Sequence, residues 1–300
     1  MSKEISKESI REGLEALGIS RGDYIVMHSN LKSLGPARVL VKLPQCGADY
    51  IIDAFLDVLG PEGILCVPVF TSTFLNAAAG PGGLIFDPDT TKSRVGSITN
   101  IILGREGRAR SLHPTHSWAA LGERAEEFTE GHDGTSTFGR DSVCGRMYDW
   151  DFKIVWFGTD GRTNTSTHFS EDWLNLPNMT SEDALVKKGD GFEKVTVYRS
   201  PSGPRDFYSE NCKLDTRIEA WNIKTSRKIH DAEVAVMRHR DFMNNLLKDM
   251  IDDPALLLCD DMEDPYNEYF HNRNNEYMEK LKKEKGGAEG ILEDLGCTEE

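Results

Sequence analysis

The chain has 300 residues, and its 50 Asp and Glu against 35 Lys and Arg leave a formal net charge of −15, a field that repels nucleic-acid phosphate and anionic membrane surfaces and attracts cations. That length permits one large or two modest domains, and no stretch stays apolar for long enough to span a membrane. Six scattered cysteines, Cys46, Cys66, Cys144, Cys212, Cys259 and Cys297, form neither a C-x-x-C pair nor a zinc-spaced set and point to a reducing compartment.

The first predicted element, "MSKEISKESIREGLEALGI", is an amphipathic helix without the apolar core of a signal peptide, so a cytoplasmic location is expected. "GDYIVMHSNL" follows as a buried strand behind a Gly-Asp turn, ending at His28, Ser29 and Asn30. "GADYIIDAFLDVLGPEG" has apolar residues at helical spacing and stops at Gly60 and Pro61. "ILCVPVFT" reads as a second buried strand and "KSRVGSITNIILG" as a helix capped by Ser93 and ended by Gly104. The glycine-rich "AAAGPGGLIFDPD" between them reads as a surface loop.

The alternation continues through strand "SWAALG", helices "ERAEEFTEGH" and "SVCGRMYDW", strand "KIVWFGTD" and helix "TSTHFSEDWLNL". Such alternation predicts an α/β domain with helices packed on a largely buried sheet. From Gly191 the pattern changes: "FEKVTVYRS" alternates like a half-exposed strand, "PSGPRDFYS" turns away, and "DAEVAVMRHRDFMNNLLKDMI" reads as one long amphipathic helix. From Asp260 acidic side chains far outnumber basic ones, which predicts a solvated tail, helical on the surface or loose. Domain boundaries are therefore set at 1–259, with an acidic C-terminal extension over 260–300.

The stretch with chemistry in it is "TNTSTHFSE", Thr163 to Glu171, directly after a predicted strand. Helical spacing puts His168 and Glu171 on one face, where a carboxylate holding one ring nitrogen leaves the other as a base near neutral pH. A surface ion pair would give the same spacing. The position favours function, because α/β sheets place ligands beyond the carboxyl ends of their strands. No H-E-x-x-H and no third ligand near His168 support a metal, and none is expected. His113 and His116 in "RSLHPTHSW" read as a shaped loop beside a cleft. The absence of G-x-S-x-G, Walker and G-x-G-x-x-G sequences removes support for common serine hydrolases, P-loop NTPases and Rossmann dehydrogenases.

"MHSNLKSLG", "LGPEGILCVPVFT", "SRVGSI", "RSLHPTHSWAALGERAEEF", "STFGRDSVCGRMYDW", "WFGTDGRTNTSTHFSE" and, more loosely, "RDFYSENC" occur together in an order that resembles the antibiotic N-acetyltransferase family, best known for aminoglycoside 3-N-acetyltransferases. The resemblance covers roughly Glu8 to Cys259. It implies a single-domain, three-layer α/β/α sandwich with a mixed sheet, distinct from the Gcn5-related acetyltransferases. The implied reaction is transfer of acetyl from acetyl-CoA to the 3-amino group of an aminoglycoside, a cationic small molecule, by a monomer or homodimer.

Carried over by position, His168 is the implied base and Glu171 its orienting partner. His28, Ser29, Asn30 and Leu31, with Thr71 and Ser93, Arg94, Val95 and Gly96, are the implied lining of the coenzyme channel. Acetyl transfer also needs donors for the developing oxyanion, and Ser29, Thr165 and Thr167 are candidates. Asn30 replaces the family's second serine, and about ten residues are inserted at 37–46 before Gly47. Two other readings remain: acetylation of another amine-bearing metabolite, and a non-catalytic CoA- or aminoglycoside-binding protein.

Overall fold

The protein is described from a computed structural model, which covers residues 6–34, 47–71, 73, 85–134, 136–203 and 213–297. The 37–46 insertion, the glycine-rich stretch at 77–84 and the loosely matching 205–212 lie outside the described residues. In chain order the elements begin with α1 (Lys7–Glu15), β1 (Tyr24–Ser29), α2 (Gly47–Leu59), β2 (Ile64–Phe70), β3 (Ile85–Phe86), α3 (Ser97–Leu103), β4 (Ala109–Arg110) and β5 (His116–Leu121). Next come α4 (Ala125–Thr129), α5 (Val143–Asp149), β6 (Lys153–Phe157), α6 (His168–Trp173) and the hairpin β7 (Met179–Lys188) and β8 (Gly191–Pro201). The chain continues with α7 (Lys213–Trp221), β9 (Thr225–Ile229), β10 (Ala232–Arg238), α8 (His239–Asp252), α9 (Pro265–Lys285) and α10 (Ala288–Leu295).

Seven strands form the central sheet in the order β4-β5-β2-β1-β6-β10-β9. Its centre, β2-β1-β6, is parallel, and antiparallel pairs complete both sides. Because side chains alternate along a strand, Ile25 and Met27 of β1 enter one core with Ile10, Ile51, Phe55 and Ile102 of α1, α2 and α3. Val26 enters the other, with Phe128, Met147, Phe242 and Leu246 of α4, α5 and α8. These two cores on one mixed sheet are the expected three layers. The parallel register, with His28 opposite Trp156 and Ser29 opposite Phe157, brings the carboxyl ends of β1, β2 and β6 to one edge, the place such sheets present ligands. A second sheet, β3-β7-β8, stands apart from the first.

Three local expectations need correction. "DAEVAVMRHRDFMNNLLKDMI" is strand β10 followed by helix α8. The short apolar run over Ala232–Arg238 fits either period, and pairing with both β6 and β9 selects the strand. Ser93 does not cap α3, which starts after Gly96 in a left-handed conformation (φ 71°) that a glycine adopts without strain. The tail is not a solvated extension over its length: Asp264 caps α9 with Pro265 in its first turn, and Met278, Ile291 and Cys297 are buried in the core that contains α5 and α8. Among the described residues no helix is long and apolar enough to cross a membrane.

Candidate active site

After β6 the chain makes two short 3-10 turns, Gly161–Thr163 and Thr165–Thr167, and enters α6 at His168. Asp160 caps the first turn by accepting the Arg162 backbone N–H. One helical turn separates His168 from Glu171, and Nδ1 of the imidazole lies 2.6 Å from Oε2 of Glu171. The Glu171 side chain is 1% exposed, and its other oxygen accepts Nδ2 of Asn178 at 2.7 Å. With a carboxylate as acceptor, Nδ1 carries the proton and Nε2 is the basic nitrogen. The ring is thereby fixed in tautomer and orientation.

Asn178 is itself held. Its Nδ2 also reaches the Ser202 carbonyl, and its own carbonyl accepts both the backbone N–H and the hydroxyl of Ser202. Arg199 of β8 adds a second strut, donating from Nε to Asp172 Oδ2 at 2.5 Å and from its other nitrogens to Asn175 and the Asp172 carbonyl. The β7–β8 hairpin thus braces the helix that carries His168.

His168 opens onto a cavity of about 460 Å³ at the strand ends, lined by His28 and Ser29 of β1, Pro68 and Phe70 of β2, Val95, Gly96 and Thr99 around the start of α3, His116, and Arg162 to Thr165. Of the residues singled out from sequence, the structure brings His168, His28, Ser29, Val95 and Gly96 together here. Asn30, Leu31, Thr71, Ser93 and Arg94 are not among the described lining residues. Asn30 accepts the Lys32 backbone N–H, and Leu31 packs against the core beside α2. Thr71 is buried and donates to the Pro114 carbonyl. Ser93 is gripped on both backbone groups by the Asn100 carboxamide, and the Arg94 backbone N–H donates to Phe70. Thr165 lines the cavity, whereas Thr167 is buried and donates its hydroxyl to the Asn164 carbonyl at 2.6 Å.

A second histidine cluster backs the cavity. His113 and His132 stack with centroids 4.7 Å apart. Nδ1 of His113 accepts the backbone N–H groups of Thr115 (3.3 Å) and His116 (3.0 Å), so its proton is on Nε2, facing the Thr137 hydroxyl. His132 bridges the Ser111 hydroxyl and the Thr137 carbonyl. Phe138 lies between the clusters, 5.2 Å from the rings of both His116 and His168. Burial pushes His116 down to about 3 and both His28 and His132 down to about 4, so these rings are neutral. Asn178, Asn164, Thr99 and Arg162 escaped sequence reasoning. For Asn164 the signal was its place in "TNTSTHFSE"; Asn178 carried none. Among the described residues no group of three His, Cys, Asp or Glu side chains is arranged to hold a metal ion.

Comparison with known proteins bears on this geometry. A family model described as aminoglycoside 3-N-acetyltransferase matches residues 26–250. The aminoglycoside N(3)-acetyltransferase III of a Salmonella species is 27% identical over 251 residues, covering 79% of this chain and 82% of that protein. The aminoglycoside N(3)-acetyltransferase IX of Micromonospora chalcea is 27% identical over 204 residues, 62% of this chain and 69% of its own. The apoenzyme structure of aminoglycoside acetyltransferase AAC(3)-IVa is similar with a TM-score of 0.74 at 20% identity, covering 91% of this chain and 99% of that one. The structure of AAC-IIIb with CoASH is similar with a TM-score of 0.72 at 20% identity, covering 83% and 97%. At such identity these structures support the fold.

Proposed function

The chain belongs to the aminoglycoside 3-N-acetyltransferase family, and from that premise we propose that it transfers acetyl from acetyl-CoA to the 3-amino group of an aminoglycoside. The observation that carries the reading is the His168–Glu171–Asn178 chain, which ends in a basic ring nitrogen at the wall of a cavity. A thioester is activated enough to need no metal; it needs a neutral amine, a base and donors for the developing oxyanion. His168 Nε2 takes the amine proton. Glu171 keeps the ring oriented and balances the charge of the imidazolium, and Asn178 keeps Glu171 in place. His28, Ser29, Val95 and Gly96 form the coenzyme wall of the same cavity.

The net charge of −15 suits a polycationic acceptor, whose attraction is screened over roughly 8–10 Å at physiological salt. The test is release of free thiol from acetyl-CoA across a panel of amines. Aminoglycosides with a free 3-amino group should be turned over with a KM that rises with ionic strength, and a neutral monoamine should show little salt dependence. Turnover of a different amine, with every such aminoglycoside refused, would move the substrate elsewhere and leave the fold untouched.

A further inference from the structure

The cavity wall has two buried polar groups that find no hydrogen-bond partner among the described residues: Nε2 of His28 and the carboxamide nitrogen of Asn164. Both residues are 3% exposed and both line the cavity with His168. A buried donor left unpaired is destabilising, and native structures keep such groups where function uses them.

Asn164 is held on every other side. It sits between the two 3-10 turns, its backbone N–H donates to Gly161, and its carbonyl accepts both the backbone N–H and the hydroxyl of Thr167. The Ser166 hydroxyl donates to Oδ1 at 2.7 Å. With the oxygen engaged, the N–H groups of Nδ2 are the side chain's remaining donors, buried in the cavity wall beside His28 and four residues before the base. His28 beside it is neutral, pushed down to about 4 by burial with the Asn164 side chain opposing that shift. A fixed, buried amide donor near a base is the arrangement that stabilises charge appearing on a carbonyl oxygen.

We propose that Asn164 is the oxyanion donor of this enzyme, its Nδ2 hydrogen-bonding the thioester oxygen as negative charge develops there. This role rests on the acetyl-transfer reading. Attack of the neutral amine on the thioester carbon moves the C=O π electrons onto oxygen, and the amine proton passes to His168 Nε2. When the tetrahedral intermediate collapses, the C–S bond breaks, the proton leaves on sulfur, and the products are the amide and free CoA thiol. The donor bond to Asn164 strengthens only while oxygen carries charge, so its loss appears in kcat.

The test begins with turnover by the unmutated enzyme, followed by Asn164→Ala and the isosteric Asn164→Asp, which still accepts from Ser166 but offers no N–H. In folded protein, checked by thermal melting, kcat should fall by about 10²–10³-fold. The affinity for CoA itself, which has no thioester oxygen, should change by less than about threefold on calorimetric titration, because no ground-state contact is lost. A kcat close to that of the unmutated enzyme in either folded variant overturns the assignment, as does a matching loss of CoA affinity, which would make Asn164 a structural support of the coenzyme wall. No turnover by the unmutated enzyme with any amine overturns the acetyl-transfer reading first, and the Asn164 role falls with it.

Discussion

Two groups of histidines meet across Phe138, and the partner each ring finds separates them. His168 donates to a buried carboxylate that is itself anchored by Asn178. His113 and His132 are held by hydroxyls, a backbone carbonyl and backbone N–H groups. A hydroxyl or a backbone group fixes a ring without supplying charge for its protonated form, so burial decides and the ring stays neutral. A carboxylate both fixes the ring and compensates a proton gained on its other nitrogen. The same residue type thus has a buried charge partner in one cluster and only neutral partners in the other.

The largest consequence lies with the buried neutral histidines, those of the second cluster together with His28 in the cavity wall and His239 at the start of α8. His116 and His239 are pushed down to about 3, His28 and His132 to about 4, and His113 falls well below its ordinary value, in each case chiefly by burial. Below about pH 6.5 the unfolded chain binds protons that the folded chain refuses, so stability rises with pH in the window from about 4 to 6.5 and is lost as pH falls through it. Each such histidine contributes about 1.4 kcal/mol per pH unit there. Several together rival the roughly 5–15 kcal/mol that holds a domain folded, so cooperative unfolding is expected on mild acidification. Chemical denaturation at a series of pH values measures the slope, and a flat profile between pH 6.5 and 5 would show that these rings take up protons without unfolding the protein.

Next in size is His168, the proposed base. His168→Ala should lower kcat by about 10²–10⁴-fold with the melting temperature little changed, and Glu171→Gln should also lower it by removing the charge that steadies the imidazolium. Because the two act as a unit, the double variant should be little worse than His168→Ala. Effects that multiply would make them independent contributors. The smallest expected effect is at Asn178: a hydrogen bond to a charged group is worth about 1.5–3 kcal/mol, so Asn178→Leu should reduce kcat about tenfold to a hundredfold, with a smaller change in the KM for acetyl-CoA. An unchanged kcat would mean that Glu171 keeps its position without the asparagine, and the contrast between the clusters would then rest on the carboxylate alone.

The pairing of His168 with Glu171 was legible because three-residue spacing in a helix places two side chains on one face whatever the surroundings. The strand ending at His28 and Ser29 was legible because a Gly-Asp turn and the break after Asn30 bound its short apolar run, whereas the 232–238 run passes straight into α8. Ser93 misled: a serine near a helix start is a common cap, but here Gly96 makes the turn and Asn100 grips Ser93 instead. The acidic tail misled for a related reason, since net charge hides the few residues, Met278, Ile291 and Cys297, that dock it onto the core.

By itself the sequence determined what depends on neighbours along the chain: the alternation of strand and helix, the helical face shared by His168 and Glu171, and the acidity that favours a cationic acceptor. Tertiary structure decided the rest. Asn178 meets Glu171 because Asn175, in a left-handed conformation (φ 53°), follows the last turn of α6 as the chain turns back. The 232–238 run is a strand because β6 and β9 flank it. The two histidine clusters differ because one fold position offers a buried carboxylate and the other hydroxyl and backbone groups. Periodicity and spacing report on a residue's own element, and they place Glu171 beside His168; burial and the Asn178 contact that anchors Glu171 come from the rest of the fold, and they separate this pair from a surface ion pair.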